Sequence, residues 1–218
     1  MIQSDTLGPL AVKGVQLKVL SQIFPVLRHE VLGPLSSASL AAAMLRQAPE
    51  GATDEAVQQR CERLAGDLSD MLDESVGVVR ELDGWLSDGG AMISSGDLLH
   101  DCRKLMFSHL LLSRHGIRWP EQVAHADMPL FSTRYLVLAW LLCLLPLVPA
   151  DAHLELDASE PGVWRARVPE GEPLSGKPPA FDPQEIELLA TAAGWRLEHQ
   201  DRCWSLHLPA QSSPSRIS

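Results

Sequence analysis

The sequence predicts an α+β fold in which a long helical hairpin precedes an α/β domain. Apolar residues recur at steps of three and four through the first part of the chain, with an interruption from Pro49 to Thr53, which predicts two helices. Short alternating runs separated by Pro and Gly follow, which predicts strands and hairpins. We therefore expect a hairpin over residues 1–89, an α/β domain over 90–210 and a disordered tail over 211–218.

The first helix carries a histidine opposite its apolar stripe. On a helical wheel, the side opposite His29 holds Leu20, Leu27, Val31, Pro34, Ala38, Ala41, Ala42 and Leu45. We expect His29 to face solvent, where Glu30 can hold the tautomer of the imidazole and accept its proton. An ordinary solvated histidine is the alternative. A zinc-protease helix is excluded, because position 33 is Gly where that motif needs a second histidine.

The second helix carries a coiled-coil seam and begins after Thr53, a suitable N-cap. The seam consists of Val57, Cys61, Leu64, Leu68, Met71, Ser75, Val78, Leu82 and Trp85. Two such helices cannot bury both of their stripes against each other, so the sequence predicts a homodimeric four-helix bundle. The alternative is a hairpin covered by the second half of its own chain.

The second half is predicted from its alternating runs and turn residues. The elements are a helix over 97–113 capped by Ser94 or Ser95, a strand over 117–119, an apolar helix from about 132, a hairpin over 153–168, a loop over 169–179, a helix from Asp182 and a hairpin over 195–209. The uncharged run from Tyr135 to Pro149 is shorter than the roughly 20 residues that span a bilayer. We expect it to form a buried helix.

Composition narrows the classes of function. The 218-residue chain has a formal net charge of −10, which argues against a nucleic-acid surface. Its four cysteines show no C-x-x-C spacing, so we expect a reduced, cytoplasmic protein without a zinc site. The N-terminus lacks the compact apolar core of a signal peptide. We therefore expect protein or small-molecule partners and no membrane association.

The order of these elements resembles the catalytic region of sensor histidine kinases over residues 15 to 209. The first helix matches the family's phosphoacceptor box, His-Glu-x-x-x-Pro-Leu, with His29, Glu30, Pro34 and Leu35. Its Leu32-Gly33 departs from the basic residue and the Thr or Ser usual there. The resemblance implies a dimerisation and phosphotransfer hairpin followed by a kinase-type α/β sandwich, with His29 as the phosphoacceptor.

The α/β domain departs from that family where family members bind nucleotide. They hold ATP and magnesium with an asparagine on the apolar helix, an Asp-x-Gly-x-Gly turn after the hairpin and a glycine-rich lid. This chain contains no asparagine, no such turn follows Val168, and Trp140 to Cys143 stand where the asparagine would be. Because those side chains cannot ligate magnesium, the resemblance implies a degenerate sandwich with no cofactor and no metal, and no autophosphorylation from ATP.

What remains is the phosphoacceptor half, which is similar to the dimeric histidine phosphotransferases of bacterial phosphorelays. We expect His29 to relay phosphoryl groups between receiver-domain aspartates, with Glu30 orienting and deprotonating the imidazole. The candidate docking residues share the His29 side of the wheel and are Leu32, Gly33, Ser36 and Leu40. Contact of these residues with the second domain or with the dimer partner is the alternative.

Two other functions stay open. A dimeric pseudo-histidine-kinase adaptor would bind a kinase or a response regulator without phosphotransfer. An active histidine kinase would need a working ATP site despite the departures above. We expect the phosphotransferase, with response-regulator receiver domains and a second copy of the chain as partners.

Overall fold

The computed structural model describes residues 4–47, 53–111, 114–173 and 179–209, and side chains from Gly8 on. The tail over 211–218 and the middle of the 169–179 loop lie outside the described residues. The protein mixes helices and strands, so the α+β class is confirmed. The elements are α1 Ser4–Leu45, α2 Asp54–Leu86, β1 Met92–Ser94, α3 Ser95–Leu111, β2 Gly116–Arg118, β3 Asp127–Pro129, α4 Leu130–Leu144, β4 His153–Asp157, β5 Val163–Arg167, α5 Pro183–Ala192, β6 Arg196–Gln200 and β7 Cys203–His207.

The chain forms two compact units. Residues 23–87 make up one unit, which contains the later part of α1 and all of α2. The second unit contains the earlier part of α1, up to Gln22, and the chain from Asp88 on. Helix α1 belongs to both units and runs as one α-helix through Pro25 and Pro34.

In the hairpin unit, the pattern of burial along α2 agrees with the predicted seam. Among its nine seam residues, Leu64, Ser75 and Trp85 are buried and Cys61 is the one classed as exposed. The polar member is satisfied internally, because the Ser75 hydroxyl donates to the Met71 carbonyl at 2.7 Å. Thr53 caps α2 by accepting from the Ala56 amide at 3.4 Å, as its position before the helix predicts.

The second unit is built on a five-stranded sheet of order β2-β4-β5-β7-β6. Strands β2 and β4 pair in parallel, and the remaining pairs are antiparallel. Alternate residues of the central strands are buried, among them Trp164, Ala166, Trp204 and Leu206. One sheet face therefore contributes to the core, while the residues between them give the other face its polar character.

Helix α4 forms the centre of that core. Its twelve residues from Thr133 to Leu144 are all buried, which fits the continuous apolar run of its sequence. Ahead of it, β1 and β3 pair as a two-stranded antiparallel ribbon that sequence reasoning missed. Each of these strands has only three residues, too few for alternation to be recognised.

Helix α5 begins with a capping box that is extended by a lysine from α1. The Asp182 carboxylate accepts from the Glu185 amide at 2.9 Å, and the Glu185 carboxylate accepts from the Asp182 amide at 3.0 Å. The Lys18 ammonium donates to both Glu185 oxygens, at 2.6 and 2.7 Å, and lies 4.8 Å from the centre of the Phe181 ring. Lys18 thereby ties the earlier part of α1 to the start of α5.

Two helical stretches are long and apolar enough to cross a membrane by length and composition alone. They are Gly8–Leu45 and Leu130–Leu147. In the second stretch, 72% of the most apolar window is buried inside the protein, as in a core helix, whereas the share for the first is 22%.

We expect the Lys18–Glu185 pair to contribute measurably to stability. A double-mutant cycle of Lys18→Ala and Glu185→Ala should give a coupling energy of about 1 kcal/mol, the upper end for a partly exposed pair, because the ammonium contacts both oxygens and a ring. Chemical denaturation measures it. The Arg114–Asp151 pair, whose side chains are 68% and 71% exposed, is the control and should give a smaller coupling. A coupling no larger than that of the control would contradict the expectation.

Candidate phosphoacceptor site

His29 lies on α1 with its side chain exposed to solvent. The neighbouring Arg28 and Glu30 side chains are exposed as well, while Leu27 is buried with 5% of its surface accessible. Successive residues of a helix point about 100° apart, so burial of Leu27 turns His29 outwards. The imidazole is accessible to a reactant, which is the first requirement for phosphoryl transfer to a ring nitrogen.

The predicted docking residues follow His29 along the same helix. Leu32 and Leu40 are 50% and 64% exposed, Ser36 is exposed, and Gly33 is partly covered. Two large apolar side chains therefore remain exposed on the part of the helix that follows His29. The sequence identified these four positions, and the structure gives each of them at least partial access to solvent.

About one turn after His29, helix α1 carries little side-chain bulk, because Gly33 has no side chain and Pro34 has a compact ring. A Cβ added to Gly33 would meet no atom within 4 Å outside its chain neighbours, so packing does not require glycine there. The following proline does favour it, because a Cβ before proline crowds the proline Cδ in a helical conformation. Helix α1 continues through Pro34 to Leu45, so the Gly33-Pro34 pair does not end the helix.

Three apolar side chains and a thiol occupy the part of α4 where the family resemblance implies an asparagine. Trp140, Leu141, Leu142 and Cys143 are at most 5% exposed and belong to the core. Burial raises the pKa of the Cys143 thiol to about 11, and the nearby carboxylates of Asp182 and Glu185 contribute less to this increase. A neutral buried thiol and apolar side chains do not fit magnesium or a nucleotide phosphate. No group of three metal-ligating side chains occurs among the described residues.

Sequence reasoning missed a second apolar stripe on α2. Leu72, Val76 and Val79 are 45%, 47% and 49% exposed and follow one another at steps of four and three. They lie about a quarter turn from the seam. These three residues have the same three- and four-residue spacing as the seam. They were overlooked because the seam beside them contains more residues.

Sequence reasoning also missed how strongly acidic α2 is. The helix carries nine acidic and three basic residues, a net charge of −6 out of −10 for the chain. Asp67, Asp70 and Glu74 are exposed and form no ion pair with another described residue. Their charge is therefore uncompensated within the part of the chain that the structure describes.

Comparison with known proteins gives limited results. Neither a protein-family model nor a curated protein matches the chain. Among solved structures, a bacterial phosphotransferase is 17% identical over 88% of this chain and 96% of that chain, with a TM-score of 0.36. The Acinetobacter baumannii histidine kinase AdeS is 9% identical over 84% and 98% respectively, with a TM-score of 0.41. These are similarities of coarse fold, and with TM-scores under 0.5 they carry no argument about function.

We expect replacement of glycine by alanine to stabilise the protein less at Gly33 than at a helical glycine that does not precede a proline. Gly66→Ala in α2 should raise the free energy of unfolding by about 1 kcal/mol, because a Cβ there meets open space and alanine favours the helix. Gly33→Ala should raise it less, since Pro34 penalises a Cβ at the preceding residue. Chemical denaturation measures both. In a Pro34→Ala background the two gains should become similar, and equal gains with Pro34 present would show that the proline has no such effect.

Proposed function

We propose that this protein is a histidine phosphotransferase of two-component signalling, which relays phosphoryl groups between receiver domains through His29 without using ATP. The exposure of His29 on α1, followed along the helix by the exposed Leu32, Ser36 and Leu40, carries the proposal. An acceptor imidazole needs solvent access and a docking face, and the exposure of His29, Leu32 and Leu40 supports both. The buried apolar residues at the nucleotide position argue against phosphorylation from ATP.

The proposed reaction exchanges one phosphoryl bond for another. A ring nitrogen of His29 attacks the phosphorus of a receiver's aspartyl phosphate, so a P–N bond forms and the P–O bond to the aspartate breaks. The aspartate leaves as a carboxylate, and the Glu30 carboxylate accepts the ring proton. In the reverse direction, a second receiver's aspartate attacks phosphohistidine and the imidazole regains its proton. The receiver's own magnesium neutralises the phosphoryl oxygens.

We also propose that two copies of the hairpin associate into a four-helix bundle. On α2 the exposed stripe of Leu72, Val76 and Val79 supports this, because a long helix rarely leaves a second apolar stripe in water. On α1 the corresponding stripe contains Phe24 and Leu35, which are 50% and 38% exposed. Helical wheels of the antiparallel pair put the two stripes on one side of the hairpin. His29 points away from that side, so association leaves it accessible.

The test of phosphotransfer is labelling of the protein by phosphorylated receiver domains. A panel of receivers should give an acid-labile, base-stable label on wild-type protein and none on His29→Ala, because the P–N bond of phosphohistidine is cleaved by acid and survives base, whereas base cleaves an aspartyl phosphate. Glu30→Gln should keep the label but form it at least about tenfold more slowly, since loss of a general base costs at least that much.

His100→Ala is the matched control, because His100 is an exposed helical histidine on α3 and its loss should leave labelling unchanged. Label that persists in His29→Ala would contradict the assignment of the acceptor. Binding of a receiver without any label on wild type would favour the adaptor instead.

The test of association is the size of the protein in solution. Wild type should sediment as a dimer, and Val76→Asp should raise the dissociation constant at least about tenfold, because each burial of a valine is worth about 1.5 kcal/mol or more. Gln59→Asp adds the same charge to an exposed position on another side of α2 and should leave the dimer intact. A monomeric wild type would contradict the four-helix bundle.

A further inference from the structure

We propose that a cleft at one end of the five-stranded sheet binds a small organic anion with an apolar body. The cleft has a volume of about 650 Å³, and its lining includes the side chains of His125, Arg196 and His207. We call it the sheet-end cleft. It belongs entirely to the second unit, so the proposal goes beyond the function proposed for the hairpin and does not rest on it.

The sheet-end cleft forms where three neighbouring strands begin or end. Strand β5 begins at Val163 and β6 begins at Arg196, and both residues pair with His207, the last residue of β7. The turn before β5 is joined to the segment after β7, because the Leu208 amide donates to the Gly162 carbonyl at 2.8 Å. The pairing of the strand ends therefore holds the lining of the cleft in place before any ligand binds.

The cleft is separate from the position at which the family resemblance implies a nucleotide. That position follows Val168, after the end of β5, whereas the cleft lies before Val163, at the start of β5. Five residue steps of extended backbone separate these two residues, which is about 17 Å. A ligand in the cleft therefore does not occupy the nucleotide position.

Two glycines keep the cleft open. Gly162 and Gly194 line it and have φ angles of +78° and +75°, in the left-handed region that residues with side chains rarely adopt. A Cβ at Gly194 would lie 3.9 Å from the Pro209 Cβ, which is an ordinary contact, so backbone conformation and not crowding favours glycine there. The turns that build the cleft thus place no side chain in it at these two positions.

Three basic side chains line the cleft, and each has donors for an anion. The Glu198 carboxylate, outside the lining, lies 2.9 Å from Arg196 Nη2 and 3.1 Å from His207 Nε2. Because a guanidinium has five N–H donors, Arg196 keeps donors for a ligand. His125 Nε2 lies 3.8 Å from the Asp127 carboxylate, which is too far for a hydrogen bond, so this ring can also donate to a ligand.

The charge around the cleft favours an anion over a cation. The chain has a net charge of −10, so a site with three basic side chains is a local exception to the overall repulsion of anions. Glu198 offsets part of this positive charge, but it also orders Arg196 and His207 in advance, which lowers the entropy cost of binding. The described residues include no group of three His, Cys, Asp or Glu side chains that could hold a metal ion, so the histidines fit an anion better.

The size and the walls of the cleft indicate a ligand larger than an inorganic ion. Small-molecule sites usually have volumes of about 300–1,000 Å³, and the cleft falls within that range. Pro161, Leu208 and Pro209 give it apolar walls. The complementary ligand is a carboxylate on an apolar body, in which the carboxylate meets the basic side chains and the body contacts the walls.

Cinnamate and cinnamyl alcohol test the proposal on the full chain. They share an apolar body and differ in the charged group, and the histidine ring signals in NMR spectra report where each of them binds. Cinnamate should bind at least about fivefold more tightly than the alcohol, because charge-assisted hydrogen bonds form only with the carboxylate. It should shift the signals of His125 and His207 but not those of His29 and His100. Equal affinities, no binding of cinnamate, or shifts confined to other histidines would overturn the proposal.

An arginine elsewhere on the sheet provides the matched control. Arg196→Ala should weaken cinnamate binding about fivefold, because hydrogen bonds to the carboxylate are lost. Arg118 is 69% exposed against 71% for Arg196, also pairs with a glutamate and lies outside the cleft, so Arg118→Ala should leave the affinity unchanged. Equal weakening by both variants would overturn the cleft and leave only general attraction between charges.

Inorganic phosphate separates the contribution of the walls from that of the charge. Phosphate has no apolar body and should bind at least about tenfold more weakly than cinnamate, because burial of apolar surface stabilises only the cinnamate complex. Phosphate that binds as tightly as cinnamate would overturn the proposal, by showing that charge alone selects the ligand. His29→Ala should bind cinnamate as wild type does, so a failure of phosphotransfer and a failure of the cleft are distinguishable.

Discussion

The rotational phase of α1 is the constraint on which the rest of the hairpin depends. Burial of Leu27, Ala38 and Ala41 fixes which way the helix faces, and every other side chain follows at about 100° per residue. His29 is exposed because Leu27, two positions before it, is buried. A one-residue insertion between His29 and Ala38 would leave the composition nearly unchanged and still turn Ala38 and Ala41 about 100° out of line with Leu27 and His29.

The rotational phases of α1 and α2 also explain how much of the hairpin could be predicted from the sequence. The α1 and α2 stripes were found because both helices are long, and a periodic pattern repeated many times is hard to mistake. Exposure of Leu32 and Leu40 followed from the same arithmetic. The second stripe of α2 was missed because it lies only about a quarter turn from the seam, and a helical wheel does not say how wide an arc the partner helix covers.

In the α/β domain, prediction succeeded where turn chemistry marks an element and failed where it does not. Asp182-Pro183 predicted the start of α5, and the turn residues from Ser159 to Gly162 predicted the hairpin of β4 and β5. The β1–β3 ribbon has no such marker, since its pairing joins Met92 to Pro129 across the intervening α3 and β2. The contact of Lys18 with Glu185 was equally inaccessible, because nothing local to either residue indicates a partner 167 positions away.

Two of the three prolines of α1, Pro25 and Pro34, lie on either side of His29 and have a mechanical consequence. A proline has no amide hydrogen, so Pro25 and Pro34 cannot donate to the carbonyls of Ser21 and Glu30 four residues earlier. The turns that carry His29 therefore lie between two interrupted steps of the backbone hydrogen-bond ladder. His29 thus lies on a segment of α1 that lacks two backbone hydrogen bonds, and under the proposed function the backbone there can adjust as a phosphoryl group arrives and leaves.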